Sequence, residues 1–545
     1  AKPSHRKRAR RYLDKHIIPY DCSQTDTPSL DKMLNLTHGP NSSAPGHDGI
    51  PRTAFKRIPP AAPLFIKVMI ETVKGFPVPV VFNVWLMIFI PEGSGPDDGI
   101  SATKIATATR LLSLKNTDCK IVAAKGIEMT KPSAAKVAHG ALKGLLPKHR
   151  FLELVAATDA QSRIAAMQDD STNGDPMMVL CDFGDTFPSP CRTRPNIASE
   201  KADSPEGICN MMEATCPLPL AFANLAAVIE CFGAIASGCP LGCPWSGTLW
   251  MVGLDPLIWD LHPWTAHPVG AVFGDCVDAA GSVPPSSKML RLLSRVFFVA
   301  EYGARLVLKT AKTAKCKIIP LAGAVAPAVE DRVRDKIADL VPRWSDMLIN
   351  DRAEYLGVRQ GPSDDDGHSW GKVTLGGQRF THKFAHIGAP TSTSLMLYNQ
   401  RAVSKISYIS QLLAWPRKVK KKESWALHRV WFLPPQALPR DALLAWGRWT
   451  SLKAVSHEHS NRSALMRSAT VSALNWQFWA RRLRGAVEFS LSFHARPHGL
   501  VAPLCWKSNP ITYTLEEASQ GFPSDTNRPL AVACAAALSE GKVEK

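Results

Sequence analysis

MMVLCDFGDTFPS, at Met177–Ser189, is the stretch around which the chain is organised. Its first five residues, Met177–Cys181, form a short apolar run bounded by polar or proline-containing segments, which is typical of a buried strand. The run ends at Asp182, and an aromatic residue, Phe187, follows five positions later. The pattern predicts a core strand that brings a carboxylate to one edge of a sheet.

A second segment, GAVFGDCVDAA at Gly270–Ala280, predicts two short strands with a turn at Gly274 and Asp275. If this hairpin pairs beside the first strand, Asp182 and Asp275 meet at the same sheet edge. Two carboxylates brought together in this way hold hard divalent cations such as Mg²⁺. Two such ions about 3.5–4 Å apart are the device that polymerases and nucleases use for in-line phosphoryl transfer.

Eight short motifs follow one another over roughly residues 41–361. They are APGHDGIP (Ala44–Pro51), FIPEG (Phe89–Gly93), TRLLSLKNTDCKIVA (Thr109–Ala123), DFGDTFPS (Asp182–Ser189), GCPWSGTLW (Gly242–Trp250), FGDC (Phe273–Cys276), LVLKTAKT (Leu306–Thr313) and EYLGVRQG (Glu354–Gly361). In this order they resemble the motifs of reverse transcriptases of non-LTR (LINE-type) retrotransposons, in which FGDC stands at the position of YADD.

The resemblance implies an α+β fold of the right-hand polymerase type. Its palm would be an antiparallel sheet plus helices, and its thumb would be followed by a helical C-terminal region. We accordingly divide the chain into a basic N-terminal arm (1–40), fingers (41–170), a palm (171–361) and a thumb with the helical C-terminal region (362–545). Apolar spacing predicts a helix at Ala61–Gly75, and length and composition predict a buried helix at Ala221–Ala236.

By resemblance, the chain is an RNA-directed DNA polymerase, a nucleotidyltransferase that extends primer DNA on template RNA with dNTPs. Asp182 and Asp275 would be catalytic ligands of Mg²⁺ or Mn²⁺. Phe187 would crowd a ribose 2′-hydroxyl, the group that distinguishes ribonucleotides from deoxynucleotides. The neighbourhood of Asp185 would contribute backbone N–H groups to the triphosphate.

Four further positions receive roles from the same resemblance. Arg110 would clamp triphosphate oxygens in bidentate fashion, and Lys120 would neutralise phosphate charge. Lys312 would act as an acid toward the departing pyrophosphate. Gly242, which lacks a side chain, would let the template or base pair approach the backbone closely.

The chain departs from the family at the hairpin turn, where Cys276 replaces the second aspartate. A thiol is a poor ligand for Mg²⁺, and we do not count Asp278, two positions further on, as its replacement. Leu241 also replaces the glutamine that precedes GCP in the family. Three readings stay open: an impaired polymerase, a catalytically dead RNA-binding scaffold, and a maturase-like protein. Whether the chain is an enzyme therefore stays open as well.

The charge balance favours a polyanionic partner, because Lys and Arg outnumber Asp and Glu by 65 to 47. Beyond Gly361 the sequence is dense in tryptophan and basic residues. For most tryptophans we favour packing inside helices over stacking on bases. Nucleic-acid contacts are assigned to one basic cluster, made of Arg417, Lys418, Lys420, Lys421 and Lys422.

The 13 cysteines at uneven spacing fit a reducing compartment. The basic run Lys2–Arg11 is compatible with a nuclear-import signal, an RNA-contacting arm or a solvated basic end. Two apolar stretches, Phe76–Pro91 and Pro217–Pro240, are too short or too interrupted by prolines and polar residues to span a bilayer. We expect an intracellular, nuclear protein with no membrane partner.

Overall fold

The computed structural model of the chain has a mixed α+β fold. It describes residues 29–39, 43–91, 109–142, 151–167, 176–183, 198–200, 202–216, 220–225, 228–235, 242–265, 271–274, 278–283, 316–321, 325–363, 366–446, 452–471, 476–493 and 510–520, with the single positions 14, 19, 144, 238, 294 and 450. The basic run Lys2–Arg11 lies outside these residues.

The strands form three sheets within the described residues, ordered β2-β1-β4-β5, β6-β7-β3-β8-β9 and β10-β11. They are β1 (Trp85–Pro91), β2 (Thr109–Lys115), β3 (Met177–Asp182), β4 (Leu220–Leu225), β5 (Val228–Ala234), β6 (Ala271–Gly274), β7 (Asp278–Val283), β8 (Lys317–Pro320), β9 (Leu348–Ile349), β10 (Ala353–Tyr355) and β11 (Val358–Gln360).

Helices make up most of the remaining described structure. They are α1 (Leu30–His38), α2 (Arg52–Phe55), α3 (Ala61–Val73), α4 (Thr117–Val137), α5 (Phe151–Met167), α6 (Glu206–Thr215), α7 (Pro244–Thr265), α8 (Pro327–Leu340), α9 (Asp366–His386), α10 (Thr391–Leu397), α11 (Ser404–Ile406), α12 (Arg417–Val430), α13 (Arg440–Ala445), α14 (His457–Val471), α15 (Trp476–Phe493) and α16 (Ile511–Ser519). A π-helical turn, Tyr398–Val403, joins α10 to α11.

The N-terminal helices pack around one apolar cluster that includes Met33, Phe65 and Met69. The helix predicted at Ala61–Gly75 is confirmed by α3. Helix α1 falls within the segment assigned to the basic arm. The Ser29 hydroxyl caps it by accepting a hydrogen bond from the backbone N–H of Lys32 (3.3 Å).

The helix predicted at Ala221–Ala236 is wrong, because this segment forms the antiparallel hairpin β4–β5. β4 also pairs in parallel with β1, with Trp85 opposite Ala221. A short apolar run does not distinguish a strand from a buried helix by its pattern alone. The pairing with β1, distant in the sequence, decides the outcome here, and it buries Met87 and Ala223 on the same cluster.

The central five-stranded sheet contains the predicted core strand as β3. β3 pairs antiparallel with β7 on one side and with β8 on the other. The predicted hairpin at Gly270–Ala280 is confirmed as β6 and β7, whose strands also pair antiparallel. The spatial order β6-β7-β3-β8, with α7 leading into the hairpin, is that of a split β-α-β unit.

Each face of the central sheet carries helices, because successive side chains of β3 point to opposite faces. Met177, Val179 and Cys181 lie in a cluster with residues of α7 and α8. Met178 and Leu180 lie in another cluster with residues of α5. β3 is thus buried on both faces, as its unbroken apolar run predicts.

The C-terminal helices cover the far side of α5. Ile164 and Met167 of α5 pack against Leu483 and Ala486 of α15. Asp159 forms a buried ion pair with Arg163 (3.2 Å), and the second oxygen of the Asp159 carboxylate accepts the backbone N–H of Ile511 (3.1 Å). Helix α5 therefore lies between the central sheet and the last two helices. No helix in the described part of the chain is long and apolar enough to cross a bilayer.

Candidate functional site

The carboxyl ends of β3 and β6 lie at the same end of the central sheet, because both strands pair antiparallel with β7. Cys181 of β3 pairs with Ala279 of β7, and Ala279 pairs with Gly274 of β6. Asp182 follows Cys181, and Asp275 follows Gly274. At about 4.8 Å per strand, the backbones at these two strand ends are separated by roughly 10 Å.

The backbone of Asp182 is fixed by a buried cysteine. The Asp182 N–H donates to Cys316 Sγ (3.2 Å), and the Cys316 S–H donates to Asp182 O (3.5 Å). Because the β3–β8 pairing ends at Leu180 and Lys317, these contacts prolong it through a side chain. The Asp182 side chain is only 3% exposed.

Asp278, which the sequence did not single out as a ligand, lies opposite Asp182 in the β3–β7 register. Directly opposed residues of antiparallel strands have Cα atoms about 4.5–5.5 Å apart. A second acidic residue is therefore brought beside Asp182 by strand pairing. The signal that could have indicated Asp278 is the register in which the hairpin pairs with β3. The number of residues between the turn and Asp278 did not reveal that register.

Several of the predicted site residues cannot be compared with their predicted roles. Asp185, Phe187, Asp275, Cys276 and Lys312 lie outside the described residues. Arg110 lies on β2 opposite Ile90, but the structure describes only its backbone.

Lys120 binds the chain's own backbone. Its ammonium donates to Ala44 O (2.6 Å), in the turn of the APGHDGIP motif. Burial lowers the pKa of Lys120, and the nearby Asp48 partly opposes this. A Cβ added at Gly46 would lie 2.3 Å from the Asn116 Oδ1, so the same turn packs closely against the start of α4. Two motifs far apart in the sequence are thereby joined.

Gly242 lies against strand β2. Its φ of +109° favours glycine, and an added Cβ would lie 2.6 Å from the backbone oxygen of Ser113. The fold itself therefore gives a sufficient reason for glycine at this position.

A buried ammonium and a pair of thiols lie next to Gly242. Lys115 is fully buried, and its Nζ donates to Thr215 O and to Cys216 Sγ (3.6 Å). The sulfur atoms of Cys216 and Cys243 are 3.5 Å apart. A buried charge requires a partner, and the thiols supply one.

The thiols share their protons unequally. Burial raises the pKa of Cys243, but the hydrogen bond with Cys216, the charge of Lys115 and the backbone N–H of Trp245 outweigh it and lower that pKa to about 5. Burial lowers the pKa of Lys115, but the neighbouring sulfur charge raises it above its ordinary value. Both directions favour a thiolate at Cys243 beside the ammonium of Lys115.

The predicted basic cluster on α12 divides into separate environments. Lys418, Lys420 and Lys421 are exposed. The Lys422 ammonium donates to Thr374 Oγ1 of α9 (3.3 Å) and so takes part in helix packing. The structure describes only the backbone of Arg417, which begins the helix.

Within the described residues, no three or more His, Cys, Asp or Glu side chains are grouped so that they could hold a metal ion. Asp275 is not among the described residues. No protein-family model matches the chain, and no curated protein matches it.

Proposed function

We propose that the chain is the RNA-directed DNA polymerase domain of a non-LTR (LINE-type) retrotransposon, acting on template RNA, primer DNA and dNTPs in the nucleus. The observation that carries the proposal is the register of the central sheet, which aligns the residues preceding Asp182 and Asp275. The order of the eight motifs supports it independently. A sheet of another topology would not bring these two strand ends together.

The elements can be assigned to a right-hand polymerase. The central sheet with α5 and α7 would form the palm. The helices α1–α4 with the sheet β2-β1-β4-β5 would form the fingers. The helices from α9 onward would form the thumb and the C-terminal region, where the exposed lysines of α12 would contact nucleic-acid phosphates.

The metal expected in this family is Mg²⁺ or Mn²⁺, and the donor chemistry fits it in part. Carboxylate oxygens of Asp182 and Asp275 suit such hard cations, whereas the thiol of Cys276 does not. Asp278 is the candidate third carboxylate. When bound, a metal pair supplies charge stabilisation at the attacking and leaving oxygens.

The protein's own residues would position these carboxylates. Cys316 holds the backbone of Asp182 at the strand end. Lys120 holds the APGHDGIP turn against α4 through Ala44. In the reaction, the primer 3′-hydroxyl oxygen bonds to the α-phosphorus of the dNTP, and pyrophosphate leaves. Arg110 and Lys312 remain the candidates for binding the triphosphate and for protonating the leaving group.

Primer extension on an RNA template with Mg²⁺ tests the proposal. Asp182→Asn is expected to lower the extension rate at least about a hundredfold, because a charged stabilising group of the transition state is lost. Asp335→Asn, on the exposed face of α8, is the matched control and should extend as the wild type does. Equal rates for wild type and Asp182→Asn would contradict a catalytic role for Asp182.

Two further variants address the altered turn. Cys276→Asp is expected to raise the extension rate, because it supplies a hard ligand in place of a thiol. Asp278→Asn is expected to lower the rate of the wild type more than that of Cys276→Asp if Asp278 compensates for the missing carboxylate.

A catalytically dead RNA-binding scaffold is the second candidate, favoured by Cys276 and by the deep burial of Asp182. It predicts no extension by the wild type or by Cys276→Asp, together with RNA binding that weakens steeply with salt. Rescue by Cys276→Asp would exclude it.

A further inference from the structure

A cavity of about 720 Å³ opens beside α12. Its walls are one face of α12, the end of α9 at Ala385 and the loop that follows α12. The side chains that line it include two cations, two aromatic rings and three polar groups, namely Lys421, Arg429, Trp425, Phe432, Ser424, His428 and Gln436. None of the described residues that line it is acidic.

The two cations and an indole ring share one face of α12. Lys421, Trp425 and Arg429 follow one another at four-residue intervals on α12, which aligns them on one helix face. The Arg429 guanidinium is 5.6 Å from the centre of the Trp425 ring. Neither Lys421 nor Arg429 forms an ion pair with a described residue. An indole ring that shares a helix face with two cations suits a ligand that combines an aromatic group with phosphate.

The second ring that lines the cavity belongs to Phe432, whose backbone has a positive φ that non-glycine residues rarely adopt. Phe432 has φ +54° and is 46% exposed. Its N–H donates to Arg429 O (3.2 Å), and the Leu433 N–H donates to His428 O (2.9 Å), which is the Schellman arrangement that ends many helices. Glycine usually occupies this position, because a Cβ is costly in the left-handed region. In this chain, Phe432 occupies the position instead of glycine.

The loop that closes the cavity is held in place by a buried histidine. His428 Nδ1 donates to Ser424 O (2.8 Å), and its Nε2 accepts the N–H of Leu438 (3.5 Å). One neutral tautomer satisfies both contacts. Leu433 and Leu438 also pack against the neighbouring apolar cluster. The cavity is therefore preformed, which reduces the entropy lost on binding.

We propose that this cavity binds single-stranded nucleic acid, with a base against Trp425 or Phe432 and the adjoining phosphates on Lys421 and Arg429. Its volume lies within the range of ligand pockets that hold a group of nucleotide size. The net charge of +18 favours a polyanion. The inference deepens the proposed function in one respect, because Lys421 is among the α12 lysines assigned there to nucleic-acid phosphates. The site involves neither Asp182 nor a metal ion, so a binding test can fail while primer extension stays intact, and the two failures are distinguishable.

The test is fluorescence anisotropy of the full chain with labelled single-stranded 12-mers of mixed sequence, one of RNA and one of DNA. Trp425→Ala is expected to weaken binding about 5- to 150-fold through lost base stacking. Lys421→Gln and Arg429→Gln should each reduce the slope of log affinity against log salt by about 0.7. Phe478→Ala and Arg467→Gln remove an exposed ring and an exposed charge elsewhere, and should leave both quantities unchanged.

Circular dichroism and thermal unfolding of each variant distinguish lost binding from lost folding, and Trp425→Phe should retain most of the affinity. A folded Trp425→Ala that binds both 12-mers as the wild type does would overturn the proposal. So would equal losses for a blunt duplex and for the single strands, because stacking requires unpaired bases. If Trp425→Ala weakened the binding of a labelled proline-rich peptide but of neither 12-mer, the cavity would be a peptide site instead. Such peptides bind in aromatic-lined grooves.

Discussion

The ammonium of Lys115 and the thiol of Cys243 lie buried on either side of Cys216, which contacts both. A lysine at the end of a strand is ordinarily solvated, and a cysteine in GCPW is accounted for by the motif. Only the folded chain brings Cys216 and Cys243 to within 3.5 Å of each other beside the Lys115 ammonium. The electrostatic consequence, a thiolate at neutral pH, belongs to these few residues alone.

Lys115→Met is expected to raise the pKa of Cys243, because burial, the largest influence on it, then loses the opposing charge and hydrogen bond of Lys115. The measurement is thiolate absorbance near 240 nm as a function of pH. The wild type should show a component near pH 5 that disappears in Cys243→Ser and persists in Cys231→Ser, where the exposed cysteine is removed. An unchanged component in Lys115→Met would contradict the ion pair.

The same shift sets a pH dependence of stability. Because the folded pKa lies below that of an unfolded thiol, the thiolate stabilises the fold fully above about pH 9. That contribution is lost as the pH falls through about 5.

At the scale of elements, the sequence predicted the parts of the fold that local pattern determines. The strand at Met177–Cys181 and the hairpin at Gly270–Ala280 are confirmed, because an unbroken apolar run and a glycine turn define them locally. The helix predicted at Ala221–Ala236 is wrong, because the pairing of β4 with β1 joins segments that are far apart in the sequence. Equally, sequence pattern did not indicate a role for Asp278, and only the register of β7 brings it opposite Asp182.

Gly242, just before α7, lies so close to β2 that a side chain at this position would contact the backbone of Ser113. Gly242→Ala is expected to lower the free energy of unfolding by about 1–3 kcal/mol, because it combines a positive φ with a Cβ 2.6 Å from Ser113 O. Thermal or urea unfolding measures the change. Gly253→Ala is the control, since nothing lies within 4 Å of its Cβ inside α7. It should leave the free energy unchanged or raise it by about 0.5–1 kcal/mol. Equal effects of the two variants would show that Gly242 is not constrained by β2.

For the whole molecule, α5 is the element that joins the central sheet to the C-terminal helices. Asp159 connects them, because its carboxylate bonds both to Arg163 and to the N–H of Ile511. Sequence pattern could not predict the buried Asp159 of this helix, since the backbone N–H that it accepts comes from a residue 352 positions away.

Asp159→Ala is expected to lower the free energy of unfolding by about 3–5 kcal/mol, because it leaves a buried guanidinium without this carboxylate. Hydrogen exchange should also quicken at the start of α16. Glu354→Ala removes the carboxylate of an exposed ion pair with Lys372 and should cost less than about 1 kcal/mol. A similar small loss at Asp159 would mean that the last helices are stabilised independently of α5.

The position of α5 also has a consequence for protein synthesis. Ile511 leaves the ribosome 352 residues after Asp159. At 5–20 residues per second, that interval lasts about 20–70 s. Throughout this interval, the apolar face and the ion pair of α5 are not yet covered by α15 and α16. The nascent chain is thus exposed to aggregation until Ile511 has been synthesised, and a holding chaperone would be most useful during that interval.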